Sequence, residues 1–242
     1  MRNGCFRFLL IAAVGLVLAG CHNPKSGNVV FSRNEIVGYS TLSRPVTLKV
    51  AGDGDDTILI IAAIHGNEVA GVPLANTLFA YMEKHHELMA GKTVMVVPVA
   101  NPDGYKAGMR NSSTGVDLNR NFPAANRVDN DTNGNEALTD PESRILYRLI
   151  NRYRPSRIVS IHQPLACIDY DGPAEELAKK MAKECYLPVK KLGSRPGSLG
   201  SWAGNEKNIP IVTLELKFAD SELTADELWE KYGNVLLAAV AG

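Results

Sequence analysis

The sequence has no surplus of either charge: 26 lysines and arginines are matched by 26 aspartates and glutamates in 242 residues. A chain so balanced carries no electrostatic footprint for nucleic acid, and none is expected as a partner. Glycine (21) and proline (13) are too few for a fibrous or low-complexity protein. No apolar run reaches the roughly 20 residues that a comfortable membrane-spanning helix needs. Cysteine is scarce, four in all, which excludes a small scaffold stapled by disulfides. What remains is an ordinary folded composition, 45% apolar and 21% charged. A chain of this length can bury a sizeable core unaided, so a metal site is read as functional before structural.

The first 21 residues have a separate character. Arg2 and Arg7 precede an apolar stretch at residues 8–17, and Leu18-Ala19-Gly20-Cys21 is a small-residue cleavage pattern. The segment resembles a bacterial lipoprotein signal. That resemblance implies removal of residues 1–20, a lipid on Cys21 that anchors the chain to a membrane, and a polar tether over 21–28. Residues 29–242 are then a single catalytic domain. The processed chain of 222 residues would carry 24 basic and 26 acidic side chains, a formal charge of −2. His22 stands where an aspartate would follow the cysteine, and by resemblance to sorted lipoproteins this favours a periplasmic domain held at the outer membrane. In that oxidising compartment Cys167 and Cys185 either pair or remain buried thiols.

Beyond the tether, strands are expected at 35–39 and 46–51 around a turn near Pro45. A buried central strand follows at 57–64, an unbroken apolar run rich in β-branched residues. Further strands are expected at 93–99, 157–162, 189–192 and 210–217, and helices at 69–89, 142–154, 174–185 and 225–241. Residues 101–139 form a long polar stretch without periodicity, a length usually kept for function. Strands alternating with helices imply an α/β fold: a mixed, mostly parallel twisted sheet with helices on both faces. No internal repeat and no domain boundary is visible.

Chemistry concentrates at the ends of the apolar strands. His65-Gly66-Asn67-Glu68 follows the central one, placing an imidazole at its carboxyl end and a carboxylate at the start of the next helix. Such ends open on the crevice where α/β sheets bind ligands. Imidazole and carboxylate suit zinc, and a catalytic zinc takes one further ligand while keeping a position open. His162 ends another strand and reaches the same edge. His22 lies in the tether, and His85 and His86 sit on a charged helix end beside Lys84, a solvated face.

Three more segments complete a pattern: Asn101-Pro102-Asp103-Gly104, Gly115-Val116-Asp117-Leu118-Asn119-Arg120-Asn121-Phe122-Pro123, and Thr213-Leu214-Glu215-Leu216. With H-x-x-E and Ser160-Ile161-His162, this order resembles the zinc carboxypeptidases of the carboxypeptidase A superfamily, over about residues 57–217. Pro164-Leu165-Ala166-Cys167-Ile168-Asp169 and Gly197-Ser198-Leu199-Gly200-Ser201-Trp202 look like its short murein peptide amidase branch. Those enzymes cut the amide between γ-D-glutamate and diaminopimelate in cell-wall peptides. The resemblance implies the zinc carboxypeptidase fold, one zinc per chain on His65, Glu68 and His162, and a murein peptide as substrate. It also implies Glu215 as general base, Arg110 facing the oxyanion, and Asn119 and Arg120 holding the substrate's free carboxylate.

Asp169, with Asp171, is either a partner for the second amine of diaminopimelate or a solvated loop carboxylate. Lys190, Lys191 and Arg195 either meet acidic peptides or form a wet surface. The segment at 192–197 departs from the digestive enzymes, which carry a mobile tyrosine there. Two other readings stay open. One is a related zinc acylase of small N-acyl amino acids, although those enzymes normally continue into a β domain that the short stretch after Glu215 does not provide. The other is a non-catalytic murein-binding lipoprotein, which would have no chemical reason to keep Glu215.

Overall fold

The computed structural model describes Met1 and residues 32–242, so the signal, Cys21 and the tether lie outside the described residues. Seven strands form one sheet in the order β1-β2-β4-β3-β5-β7-β6. They are β1 (Ser32–Tyr39), β2 (Pro45–Gly52), β3 (Asp56–Ala62), β4 (Lys92–Val97), β5 (Arg157–His162), β6 (Leu165–Asp171) and β7 (Ile211–Lys217). The four inner strands β4, β3, β5 and β7 are mutually parallel. The hairpin β1–β2 and the edge strand β6 add antiparallel pairs. The sheet is thus mixed and mostly parallel, as the alternation of patterns implied.

Five helices flank it: α1 (Gly71–Lys84), α2 (Pro102–Ala107), α3 (Pro141–Tyr153), α4 (Glu175–Ala182) and α5 (Ala225–Ala241). Side chains alternate across a strand, so each strand feeds two cores. Ile58, Ile60, Val159, Ile161, Leu214 and Leu216 pack under α1, α4 and α5. Leu59, Ile61, Ile158 and Ile211 face the other way, against α3, Phe122 and Trp202. The residues between those of the first set on β5 and β7, namely Ser160, His162, Thr213 and Glu215, therefore emerge on the α3 side. That parity, set by the strand period of two, brings the polar side chains of separate strands to one surface.

Two elements differ from the sequence expectation. Residues 165–171 form the edge strand β6, which its polar aspartates and Pro164 concealed. Residues 189–192 contribute a single bridge, Ile168 to Val189, in place of a strand. The long polar stretch also contains α2, capped where the Asn101 side chain accepts from the Gly104 amide at 2.8 Å. Cys167 and Cys185 are both free thiols.

One buried group opposes the fold at neutral pH. Glu142, in the first turn of α3, is fully buried; among the described residues its Oε2 has no partner, and its Oε1 takes a long 3.4 Å bond from the Thr41 amide. Burial, with Asp140 and Asp103 nearby, pushes its carboxyl up to about 7. The folded state thus holds a proton that the unfolded chain releases near 4.5. The stability this group contributes is present below that value and is lost as pH rises through about 7. The melting temperature of Glu142→Gln, measured against the parent, should gain on it between pH 5 and 8; melting curves that stay parallel over that range would contradict the assignment.

Candidate metal centre

β3 ends at Ala62, and Ala63 takes a left-handed φ of 47°, turning the chain away from the sheet. His65 and Glu68 lie in this turn, so Glu68 precedes α1 and does not belong to it. Gly66 is required by close approach, because a Cβ there would run into the backbone of Gly104 and Tyr105 in α2. Its amide donates to the carbonyl of Arg110, which ties the turn to the polar loop.

Three donors converge here. The Nδ1 atoms of His65 and His162 are 3.2 Å apart, His65 Nδ1 lies 2.8 Å from Glu68 Oε1, and His162 Nδ1 lies 2.8 Å from Glu68 Oε2. The donor atoms of all three residues fall within 4.8 Å of one another, and all three residues are buried. Two imidazole nitrogens do not face each other at this distance without a shared cation, proton or metal. The far nitrogens are both engaged: His65 Nε2 lies 3.0 Å from Asp117 Oδ1, and the Ser160 hydroxyl lies 2.9 Å from His162 Nε2. Anchoring each Nε2 leaves Nδ1 as the coordinating atom, the arrangement that orients histidine ligands. Two imidazoles and one carboxylate fit zinc and leave a fourth position open.

Burial disfavours charge on His65, Glu68 and Asp117, yet mutual attraction wins. The Glu68 carboxyl is held well below the usual range by His162 and His65 despite its burial. Asp117 is likewise held low by His65, Arg120 and Arg110, and His65 is raised by Asp117 and Glu68. Arg110 donates to Glu68 Oε1 at 2.9 Å and more loosely to Asp117 Oδ2 at 3.4 Å. Sequence reasoning gives Asp117 and Ser160 no role of their own. The signals are present: Ser160 is two residues before His162 on one strand face, and Asp117 opens the Asn119-Arg120 motif.

Glu215 sits in β7 directly opposite His162 of β5 and Cys167 of β6. It is outside the three-donor cluster, with one oxygen accepting the Leu165 amide at 3.3 Å. Burial raises its carboxyl despite nearby His162, moving it toward the range in which a carboxylate serves as a base. Both residues line a cleft of about 260 Å³ together with Arg110, Asn119, Arg120 and Asp169. All the sequence-predicted site residues within the described chain are therefore gathered in one cavity. No tyrosine lines it among the described residues, in keeping with the departure at 192–197.

Charge is unevenly distributed in the cleft. Among the described residues Arg120 donates only to the carbonyl of Asn119, and its pKa is lowered by burial and by neighbouring Arg110 and Arg195 against the attraction of Asp117. Asp169 and Asp171 are not solvated loop carboxylates but buried residues on one face of β6. Asp169 Oδ1 accepts the Leu192 amide, and Asp171 Oδ1 accepts from the Ser194 hydroxyl. Burial and Asp169 raise the Asp171 carboxyl. Arg195 lines the same cleft, whereas Lys191 lies over the Tyr170 ring and is not among the cleft residues.

A mixed sheet carrying a buried His-Glu-His cluster and a nearby carboxylate at its carboxyl edge defines a metal-dependent hydrolase. Residues 31–171 match the zinc carboxypeptidase family Peptidase_M14. The chain is 36% identical over 221 residues to murein peptide amidase A of Escherichia coli strain K12, covering 82% of this chain and 85% of that one. It is 32% identical over 213 residues to the Vibrio campbellii protein of the same name, covering 78% and 82%. The structure of murein-tripeptide amidase from Escherichia coli O157 superposes with a TM-score of 0.70 at 28% identity, covering 88% of this chain and 98% of that one. Thrombin activatable fibrinolysis inhibitor, at 18% identity, shares the fold with a TM-score of 0.73 over 87% of this chain and 68% of that one. The chain belongs to the zinc carboxypeptidase family and is a metallopeptidase-type hydrolase.

Metal analysis of variants separates ligand from neighbour. His162→Ala should purify largely free of zinc, Ser160→Ala should bind it roughly 10- to 100-fold more weakly, and Glu215→Gln should keep one zinc per chain. Full occupancy in His162→Ala would remove His162 from the metal, and loss of zinc from Glu215→Gln would make Glu215 a ligand.

Proposed function

We propose that this chain is a zinc-dependent amidase that hydrolyses the γ-D-glutamyl-diaminopimelate bond of murein peptides. The observation that carries the reading is one cleft lined by the His65-Glu68-His162 cluster, Glu215, the guanidinium groups of Arg110, Arg120 and Arg195, and the paired aspartates Asp169 and Asp171. The murein peptide amidases found at 36% and 32% identity support the substrate.

When bound, zinc supplies the Lewis acidity that makes water a nucleophile near neutral pH. Glu215, buried and raised in pKa, takes the proton from the attacking water and returns it to the departing amine. Arg110, whose side chain remains 44% exposed although it bonds Glu68, is the cation placed to meet negative charge developing on the carbonyl oxygen. Asn119 and Arg120 hold the carboxylate beside the leaving nitrogen. A guanidinium that among the described residues hydrogen-bonds one carbonyl has donors to spare for a carboxylate. Asp169 and Asp171 face the side chain of the leaving residue, and an ammonium there would relieve two buried carboxylates. Arg195, exposed at the rim, suits a further carboxylate. The leaving residue favoured by this arrangement carries two amines and two carboxylates, which diaminopimelate does.

The pattern ending at Cys21 supports a lipid-anchored enzyme in the periplasm, held at the outer membrane. No helix among the described residues is long and apolar enough to cross a membrane.

The test is kcat/KM for L-Ala-γ-D-Glu-diaminopimelate, for its carboxamide at the position held by Arg120, and for a simple peptide ending in phenylalanine. Losing the carboxylate should cost roughly 2–3 kcal/mol, about 10²-fold, because a half-buried guanidinium is left unpaired. The phenylalanine peptide should be poor, and Glu215→Gln should lose on the order of 10²-fold or more in turnover. Equal rates on all three substrates would overturn both the clamp and the cell-wall assignment.

A further inference from the structure

Outside the catalytic groups, the loop after the Asn119-Arg120 motif is organised around a cation that the chain itself supplies. Asp129-Asn130-Asp131-Thr132-Asn133-Gly134, followed by Asp140, has the spacing of loops that wrap a calcium ion. Here the carbonyls that turn inward meet a guanidinium. Arg127 Nη2 donates to the carbonyls of Asn133 at 2.9 Å, Gly134 at 2.5 Å and Glu136 at 2.7 Å, while Nη1 pairs with Asp129. Its side chain is only 7% exposed. Asp131, by contrast, is exposed and takes no part.

Two of those carbonyls are shared. Asn121, fully buried and next to Arg120, donates its Nδ2 to Asn133 at 2.8 Å and to Glu136 at 3.2 Å. The Asp117 amide donates to Thr132 in the same loop at 2.7 Å. The aliphatic stem of Arg127 also lies beside Gly197: a Cβ there would press on Arg127 Cγ and collide with the Arg120 carbonyl. From Gly197, the carbonyl accepts the Phe122 amide at 2.9 Å, and two residues on, the Leu199 amide donates to Asn119 Oδ1 at 2.9 Å. Arg127 therefore touches both segments that frame the carboxylate clamp without lining the cleft.

We propose that Arg127 is a positioning residue for substrate specificity. As an internal cation it gathers the carbonyls of residues 133–136, and these hold Asn121 and thereby fix Asn119 and Arg120 against the Gly197–Leu199 wall. The proposal rests on the reading of Asn119 and Arg120 as the clamp for the substrate carboxylate. Without the guanidinium these carbonyls keep only the Asn121 side-chain amide and the Asn130 backbone amide as donors, so its loss should loosen the clamp while leaving in place the metal ligands, which lie in the turn after β3 and at the end of β5.

Arg127→Met keeps the stem and removes the charge. Arg127→Lys restores a cation whose three donors suit three carbonyls, on a shorter reach. The readouts are zinc content, kcat and KM for L-Ala-γ-D-Glu-diaminopimelate, and the preference over its carboxamide. Arg127→Met should keep one zinc, raise KM about tenfold with kcat little changed, and lose most of the preference for the free carboxylate. Arg127→Lys should show the same pattern at about threefold, and it alone decides if the methionine variant does not fold. A lowered melting temperature with KM and preference at parental values, in whichever variant folds, would overturn the proposal and leave Arg127 a structural pin. If the parent enzyme itself does not distinguish carboxylate from carboxamide, the clamp reading falls and the proposal falls with it.

Discussion

Two imidazole nitrogens held 3.2 Å apart beside a buried carboxylate are the constraint on which the rest of this structure depends. Left alone, such a cluster concentrates lone pairs and largely desolvated charge at the floor of a cleft, and partners on every side offset the cost. Asp117 and Ser160 fix the far nitrogens, Arg110 and the Gln163 amide lean on Glu68, and a metal takes the converging face. The sheet makes this feasible. Its inner strands end at the same edge, and the strand period sends Ser160, His162 and Glu215 to the face that the long loop covers.

The loop then sorts the charge. Guanidinium groups of Arg110, Arg120 and Arg195 occupy the cleft with the carboxylates of Asp169 and Asp171, so a ligand is read at more than one charged point. Glu215 stands apart from the metal ligands although it is the sheet neighbour of His162. That separation leaves one carboxylate within the group that can hold a metal and another outside it. Glu68 is held low by two histidines, and Glu215 is raised by burial: two environments move the same functional group in opposite directions.

Much of this is legible in the sequence because strong local signals coincide with function. The apolar run after residue 57 marks a buried strand, and His65 and His162 follow such runs, so sequence pattern alone puts the metal ligands at strand ends. The polar loop is recognisable as a functional element by its length and composition. Strand β6 is not recognisable, because an edge strand bearing Asp169 and Asp171 toward a cleft and opening on Pro164 lacks the apolar continuity of an inner strand, and its aspartates look like solvated loop carboxylates. Asp117, Ser160 and Arg127 escape notice for another reason. Their hydrogen-bond partners lie 52, 2 and 6 to 9 residues away, and although Ser160 shares a strand face with His162 and Asp117 opens the Asn119-Arg120 motif, neither position by itself tells which atom the side chain will meet.

The central claim is that this cleft, with zinc bound, attacks one particular amide. Mass spectrometry of the products formed from L-Ala-γ-D-Glu-diaminopimelate in oxygen-18-enriched water tests it most directly. The expected result is free diaminopimelate without label and L-Ala-D-Glu carrying one labelled oxygen in its new γ-carboxylate. Release of alanine, label in the diaminopimelate, or an intact tripeptide in the presence of zinc-loaded enzyme would contradict it.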